Sequence, residues 1–80
     1  MAIIAHIEKS NRSNVKLHPT RVTCRYTVGD LSAGKKVLQL ETGGSDHREH
    51  PGKISQTLQL DENAARALWV LLGKEFGFKG

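Results

Sequence analysis

The densest cluster of reactive side chains in the sequence is Asp46, His47, Glu49 and His50, set with Arg48 in a polar stretch between Gly43 and Lys53. Imidazole and carboxylate groups suit a zinc ion, but a structural zinc site takes four fixed ligands, and no matching pair with finger-like spacing occurs elsewhere. A solvated loop between two strands is the expectation, with Arg48 and Lys53 available to a phosphate or an acidic side chain. Gly43 and Gly44 lead into loop and strand, so no helix N-terminus completes a phosphate cradle. Cys24 alternates with Val22 and Tyr26, where it reads as a small core residue and not as a nucleophile. His6, His18, His47 and His50 have no Ser or Cys partner that spacing identifies. Neither catalysis, a bound metal nor a cofactor is expected.

The remaining chemistry is recognition. Lys and Arg number 12 against 8 Asp and Glu, for a formal net charge of +4. The surplus lies wholly before the last twenty or so residues, where Arg66, Lys74 and Lys79 are balanced by Asp61, Glu62 and Glu75. A basic surplus concentrates anionic partners such as nucleic acid or acidic protein faces, and it also keeps a small domain soluble. In the run 21–28, Arg21, Thr23, Arg25 and Thr27 alternate strictly with Val22, Cys24, Tyr26 and Val28. On a strand this puts the apolar set toward a core and displays the cations and hydroxyls on the other face. Gln39, Ser55, Thr57 and Gln59 fall in phase to widen that face, and Lys9, Arg12 and Lys16 extend it along a preceding loop. Guanidinium forks, hydroxyls and amides together suit a phosphodiester backbone. The candidate binding residues are therefore Lys16, Arg21, Thr23, Arg25, Thr27, Arg48 and Lys53.

Eighty residues make one domain with one small core, and a chain of this size buries only about 60% of the surface its unfolded form exposes. Strands are expected at about 3–9 with 15–17, 21–28, 35–42 and 54–60, separated by clusters of Gly, Ser, Asn, Asp and Pro. Helical spacing begins after Leu60, with Asp61 as N-cap and Gly77 as a left-handed stop, for a helix at about 62–76. Ala65, Leu68, Trp69, Leu72 and Phe76 form one stripe that is expected to cover the sheet, taking Trp69 and Phe76 into the core with Tyr26. Ala64, Ala67 and Leu71 widen the apolar arc beyond what one sheet face needs, so a homodimer through this helix is a candidate assembly. The fold expected is α+β: a four-stranded antiparallel sheet with one C-terminal helix packed on one face.

Cys24 is the only cysteine, which excludes an intrachain disulfide and points to the cytoplasm. Glu8 and Lys9 cut short the apolar start of the chain, so neither a secretory leader nor a membrane anchor is expected.

Two family resemblances sharpen these expectations. The stretch Pro51-Gly52-Lys53-Ile54-Ser55-Gln56-Thr57-Leu58-Gln59-Leu60, leading into the helix from Asp61 to Phe76, resembles the Whirly-like positive-cofactor transcriptional coactivator domain. That likeness implies single-stranded DNA on the sheet and helices at a dimer seam. As a whole, from Met1-Ala2-Ile3-Ile4 to Gly77-Phe78-Lys79-Gly80, the chain also looks like the small phage and mobile-element proteins that inhibit CRISPR systems, type I-C above all. This second likeness implies a non-catalytic inhibitor that docks on a type I effector complex (Cascade) and blocks target-DNA binding. For a basic chain, docking would be to an acidic face of the effector or to its nucleic acid.

Overall fold

Three strands and a helix follow one another along the chain, and a fourth, very short strand joins from the N-terminus. The computed structural model describes residues 1–45 and 54–79. Strand β1 is Ala2–Ile4, β2 is Val22–Asp30, β3 is Lys36–Ser45 and β4 is Ile54–Leu60; helix α1 is Glu62–Phe76. The sheet order is β1-β4-β3-β2, with β2, β3 and β4 as an antiparallel meander. The α+β architecture with a C-terminal helix is the one expected, with one change of direction: β1 pairs with β4 in parallel, so the sheet is mixed.

That change follows from where burial is available. Ile4 pairs with Leu60, the most buried large side chain described, and is itself half-buried there. Residues 5–21 lie outside the sheet and exceed the dozen or so residues that a parallel connection needs. The expected continuation of the first strand over 3–9 and 15–17 therefore does not form. Val15 is 95% exposed, and residues 8–20 are exposed without interruption.

Strand β3 runs further than expected, through Gly43 and Gly44 to Ser45. Cys24 pairs with Thr42 whereas Val22 pairs with Ser45, which inserts one extra residue into β3. Thr42 pairs with Gln56 whereas Gly43 pairs with Ile54, which inserts one into β4. Glycine carries no side chain to obstruct such bulges, so the pair that reads as a loop start serves as a bent strand end.

The β2–β3 turn holds Ser32–Gly34 in a single 3-10 turn closed by a bond from the Leu31 N–H to the Lys35 carbonyl at 2.7 Å. Ala33 there has φ 62°, the left-handed region that costs a residue with a Cβ about 1 kcal/mol or more. Ala33→Gly is expected to raise stability by up to about 1 kcal/mol, read as a higher urea midpoint at unchanged slope. A fall in midpoint would show that the added unfolded-chain freedom of glycine outweighs the relief.

Helix α1 is built from strong helix formers, and its two ends are fixed chemically. Asp61 Oδ1 accepts the Ala64 N–H at 2.8 Å, a cap that contributes about 1 kcal/mol, and Gly77 terminates the helix at φ 71°. The Phe76 and Phe78 rings stack across that stop at 5.5 Å between centroids. The helix contacts β3 and β4, where Ala64 is 1% and Leu60 2% exposed. These are the two fully buried apolar residues among those described.

The rest of the expected core lies open. Directly opposed residues share a face in an antiparallel sheet, so Val28, Leu38 and Leu60 form one row on the helix side, and Tyr26, Leu40 and Leu58 form the next. The parity read from 21–28 therefore places the apolar set toward the helix, but α1 sits over β3 and β4 and leaves β2 at the margin. Tyr26 is 72% exposed, and Val22, Cys24 and Val28 are exposed beside it, contrary to their expected burial. Trp69, 58% exposed, and Phe76 are likewise not core residues. They lie on the flank of the helix, and the inward line is Ala64, Ala65, Leu68 and Leu72.

Candidate functional site

The face away from the helix is a ladder of polar side chains. Thr27, Gln39 and Gln59 stand opposite one another across β2, β3 and β4, and Arg25, Glu41 and Thr57 form the adjacent row. The amides lock the two rows together: Gln59 Nε2 donates to Gln39 Oε1 at 2.9 Å, and Gln39 Nε2 donates to Glu41 Oε1 at 2.6 Å. A charge-assisted bond to a carboxylate is stronger than a neutral one, so Glu41 is held by its neighbour in β3 and faces Arg25 in β2. The surface that results is amide-rich and of mixed sign.

The predicted binding residues distribute unevenly over the molecule. Thr23, Arg25 and Thr27 belong to β2 and share this face by alternation; all three are exposed. Lys16 and Arg21 are exposed as well, but they belong to the connection 5–21 and not to the sheet. Arg48 and Lys53 lie outside the described residues, as do Asp46, His47, Glu49 and His50. Among the described residues, no group of three or more His, Cys, Asp and Glu is arranged to hold a metal ion.

Two further features were not anticipated. Glu41 reads as an outward residue from its strand parity, but its station opposite Arg25 depends on the register set by the Leu31–Lys35 turn. The second is the apolar surface on the helix side. Ala65 borders an open groove of about 360 Å³ with Val28, Leu38 and Leu60, and Trp69 and Phe76 continue along the helix from Ala65 as an exposed flank. A second concavity of about 310 Å³ lies where Trp69, Val70 and Leu72 meet Phe78. Only the outward arc of the helix, Ala64, Ala67 and Leu71, carried a sequence signal for uncovered surface, and of these Ala64 is buried.

A polar cleft of about 500 Å³ separates the β2–β3 turn from the helix start, lined by Lys35, Lys36 and Arg66 on one sign and Asp61 and Glu62 on the other. Asp61 already occupies the helix N-terminus as its cap, so the free N–H groups of that end are partly satisfied from within the chain. No described helix is long and apolar enough to cross a membrane. Comparison with protein-family models, curated proteins and solved structures gives no match for this chain.

Proposed function

We propose that this chain is a small, non-catalytic binding protein of the anti-CRISPR kind, which works in the cytoplasm by docking on a type I effector complex and blocking capture of target DNA. The observation that carries this reading is the mixed-sign ladder opposite the helix. An open sheet face offers a small substrate no concave pocket, but its row of polar groups suits the polar surface of a macromolecule. Glu41 beside Arg25 favours a protein surface of alternating sign over a polyphosphate, where a carboxylate at the centre of the contact would be repelled. Arg25, Thr23 and Thr27 supply the strand contacts, and Lys16 and Arg21 add charge from the adjoining connection.

The alternative is a dimeric, single-stranded-DNA-binding protein of the Whirly-like kind. Such binding joins cations for phosphates with aromatic rings for bases on one surface. Here Tyr26 and Arg25 are neighbours on β2 and so stand on opposite faces. The two readings part on a pair of measurements. Capture of the chain by a type I-C complex, together with reduced target-DNA binding by that complex, is the expected result; no association, or association with undiminished DNA capture, overturns the proposal. Free DNA binding that weakens steeply and log-linearly with salt would put the alternative in its place.

A further inference from the structure

We infer that two copies of this chain join edge to edge through β2, antiparallel about a twofold axis perpendicular to the sheet. The two sheets then become one, and the helix flanks bearing Trp69 and Phe76 close over the joined strands from both sides. The inference is independent of which macromolecule the polar face binds.

Three observations converge on β2. Among the described residues the order β1-β4-β3-β2 leaves it at an edge, where its nine residues of backbone have a strand partner on one side only. Solitary proteins blunt such edges with Pro, with Lys, with short strands or with a covering element. The opposite edge, β1, is three residues long, whereas β2 contains neither Pro nor Lys, and the one bulge in its ladder is carried by β3, opposite the Val22 end. Second, the helix side of this same strand carries Val22, Tyr26 and Val28, all exposed, next to the half-buried Leu38 and Leu40. Third, Ala65 of α1 borders the groove above Val28, and Trp69 and Phe76, about one and three turns further on, continue the same flank by helical spacing.

The exposed area leaves room for an occupant of this size. The chain exposes 7505 Å², whereas a compact monomer of 8.8 kDa exposes about 4,800 Å² by the usual scaling. Its radius of gyration is 14.9 Å against about 12 Å for a compact chain of this length. Residues 8–20 are exposed throughout, and so are the apolar side chains of β2 and the aromatic helix flank. A stable dimer removes about 800 Å² from each partner, well within that excess. A second copy fits because the same apolar strand face and the same aromatic flank recur in each, and pairing about a perpendicular twofold keeps both helices on one side. Register is set by charge: centring the axis at Tyr26 places Arg25 opposite the second copy's Thr27 and Cys24 opposite its Val28. A register centred one residue earlier would set two Arg25 side chains against each other.

Sedimentation equilibrium of the purified chain across a wide concentration range is expected to give twice 8.8 kDa as the limiting mass. Tyr26→Lys and Trp69→Lys are each expected to weaken the dimer by about 30-fold or more, the scale of a 2 kcal/mol hot spot, without loss of circular dichroism, because both side chains are exposed in the single chain. Val28→Cys is expected to form an interchain disulfide with Cys24 on mild oxidation. Within one chain those positions are four apart on a strand, about 13 Å, which is too far to bridge. A single 8.8 kDa species at every concentration overturns the inference, as does open-ended assembly, or a dimer indifferent to all three substitutions.

Discussion

Leu60→Ala is expected to cost about 2–5 kcal/mol, the range for emptying a well-packed buried leucine site. At about 0.05–0.15 kcal/mol per residue, a chain of 80 residues has roughly 4–12 kcal/mol of stability in all, so this one substitution removes a large share of it. Leu60 is the place where every layer of the fold meets. It pairs with Leu38 in β3 and with Ile4 in β1, and the helix start at Ala64 lies over it. With 1 kcal/mol worth about 4–8 °C in a domain this small, the melting temperature should fall by at least about 8 °C. Leu58→Ala is the internal comparison. Leu58 stands on the same strand and the same face, but it is exposed, and its truncation should cost no more than about 1 kcal/mol. Equal losses from the two would mean that burial along β4 is uniform and that the core is not centred at Leu60. Both should be measured at fixed protein concentration, because a subunit equilibrium adds to apparent stability.

The contrast between those two leucines also shows what sequence patterning conveys. Alternation over 21–28 states which side chains share a face, and the pairing of Thr27 with Gln39 and of Tyr26 with Leu40 respects it. Alternation does not state whether anything covers that face. Tyr26 and Val28 point to the helix side, and the helix lies over β3 and β4 instead. Helix α1 is the most legible element because spacing, the Asp61 cap and the Gly77 stop are three separate local signals. Strand β1 is the least legible, since neither its neighbour nor its direction is encoded in a period of two; the burial available to Ile4 beside Leu60 decides both. The ladder opposite the helix was readable residue by residue, yet the meeting of Arg25 with Glu41 was not. It arises from a hairpin register that a left-handed Ala33, a conformation few would assign to alanine, helps to set.

That meeting fixes the second large expected effect. Replacing Arg21 and Arg25 together by Glu reverses two charges, taking the net charge from +4 to zero, and sets a second carboxylate opposite Glu41. Like charges set against each other across an interface cost several kcal/mol, and each 1.4 kcal/mol is tenfold, so on the proposed function binding to the effector complex should weaken about 100-fold or more. The loss should fall partly on the association rate and shrink as salt rises, since exposed charges are screened beyond about 8–10 Å. Glu41→Gln tests the sign of the partner's surface from the other direction. If Arg25 meets an acidic patch, removing the carboxylate it faces should strengthen binding, whereas weaker binding would assign Glu41 a basic contact of its own. Thr27→Ala, which deletes one neutral hydrogen bond from the same face, should change affinity by no more than about 1 kcal/mol. Mass measurement on the doubly reversed protein keeps the effects apart: with Arg25 opposite the second copy's Thr27 in the proposed dimer, the charge reversal should leave the dimer in place while weakening docking. Undiminished inhibition by that variant would remove the sheet ladder from the binding surface and move the search to the projecting residues 8–20.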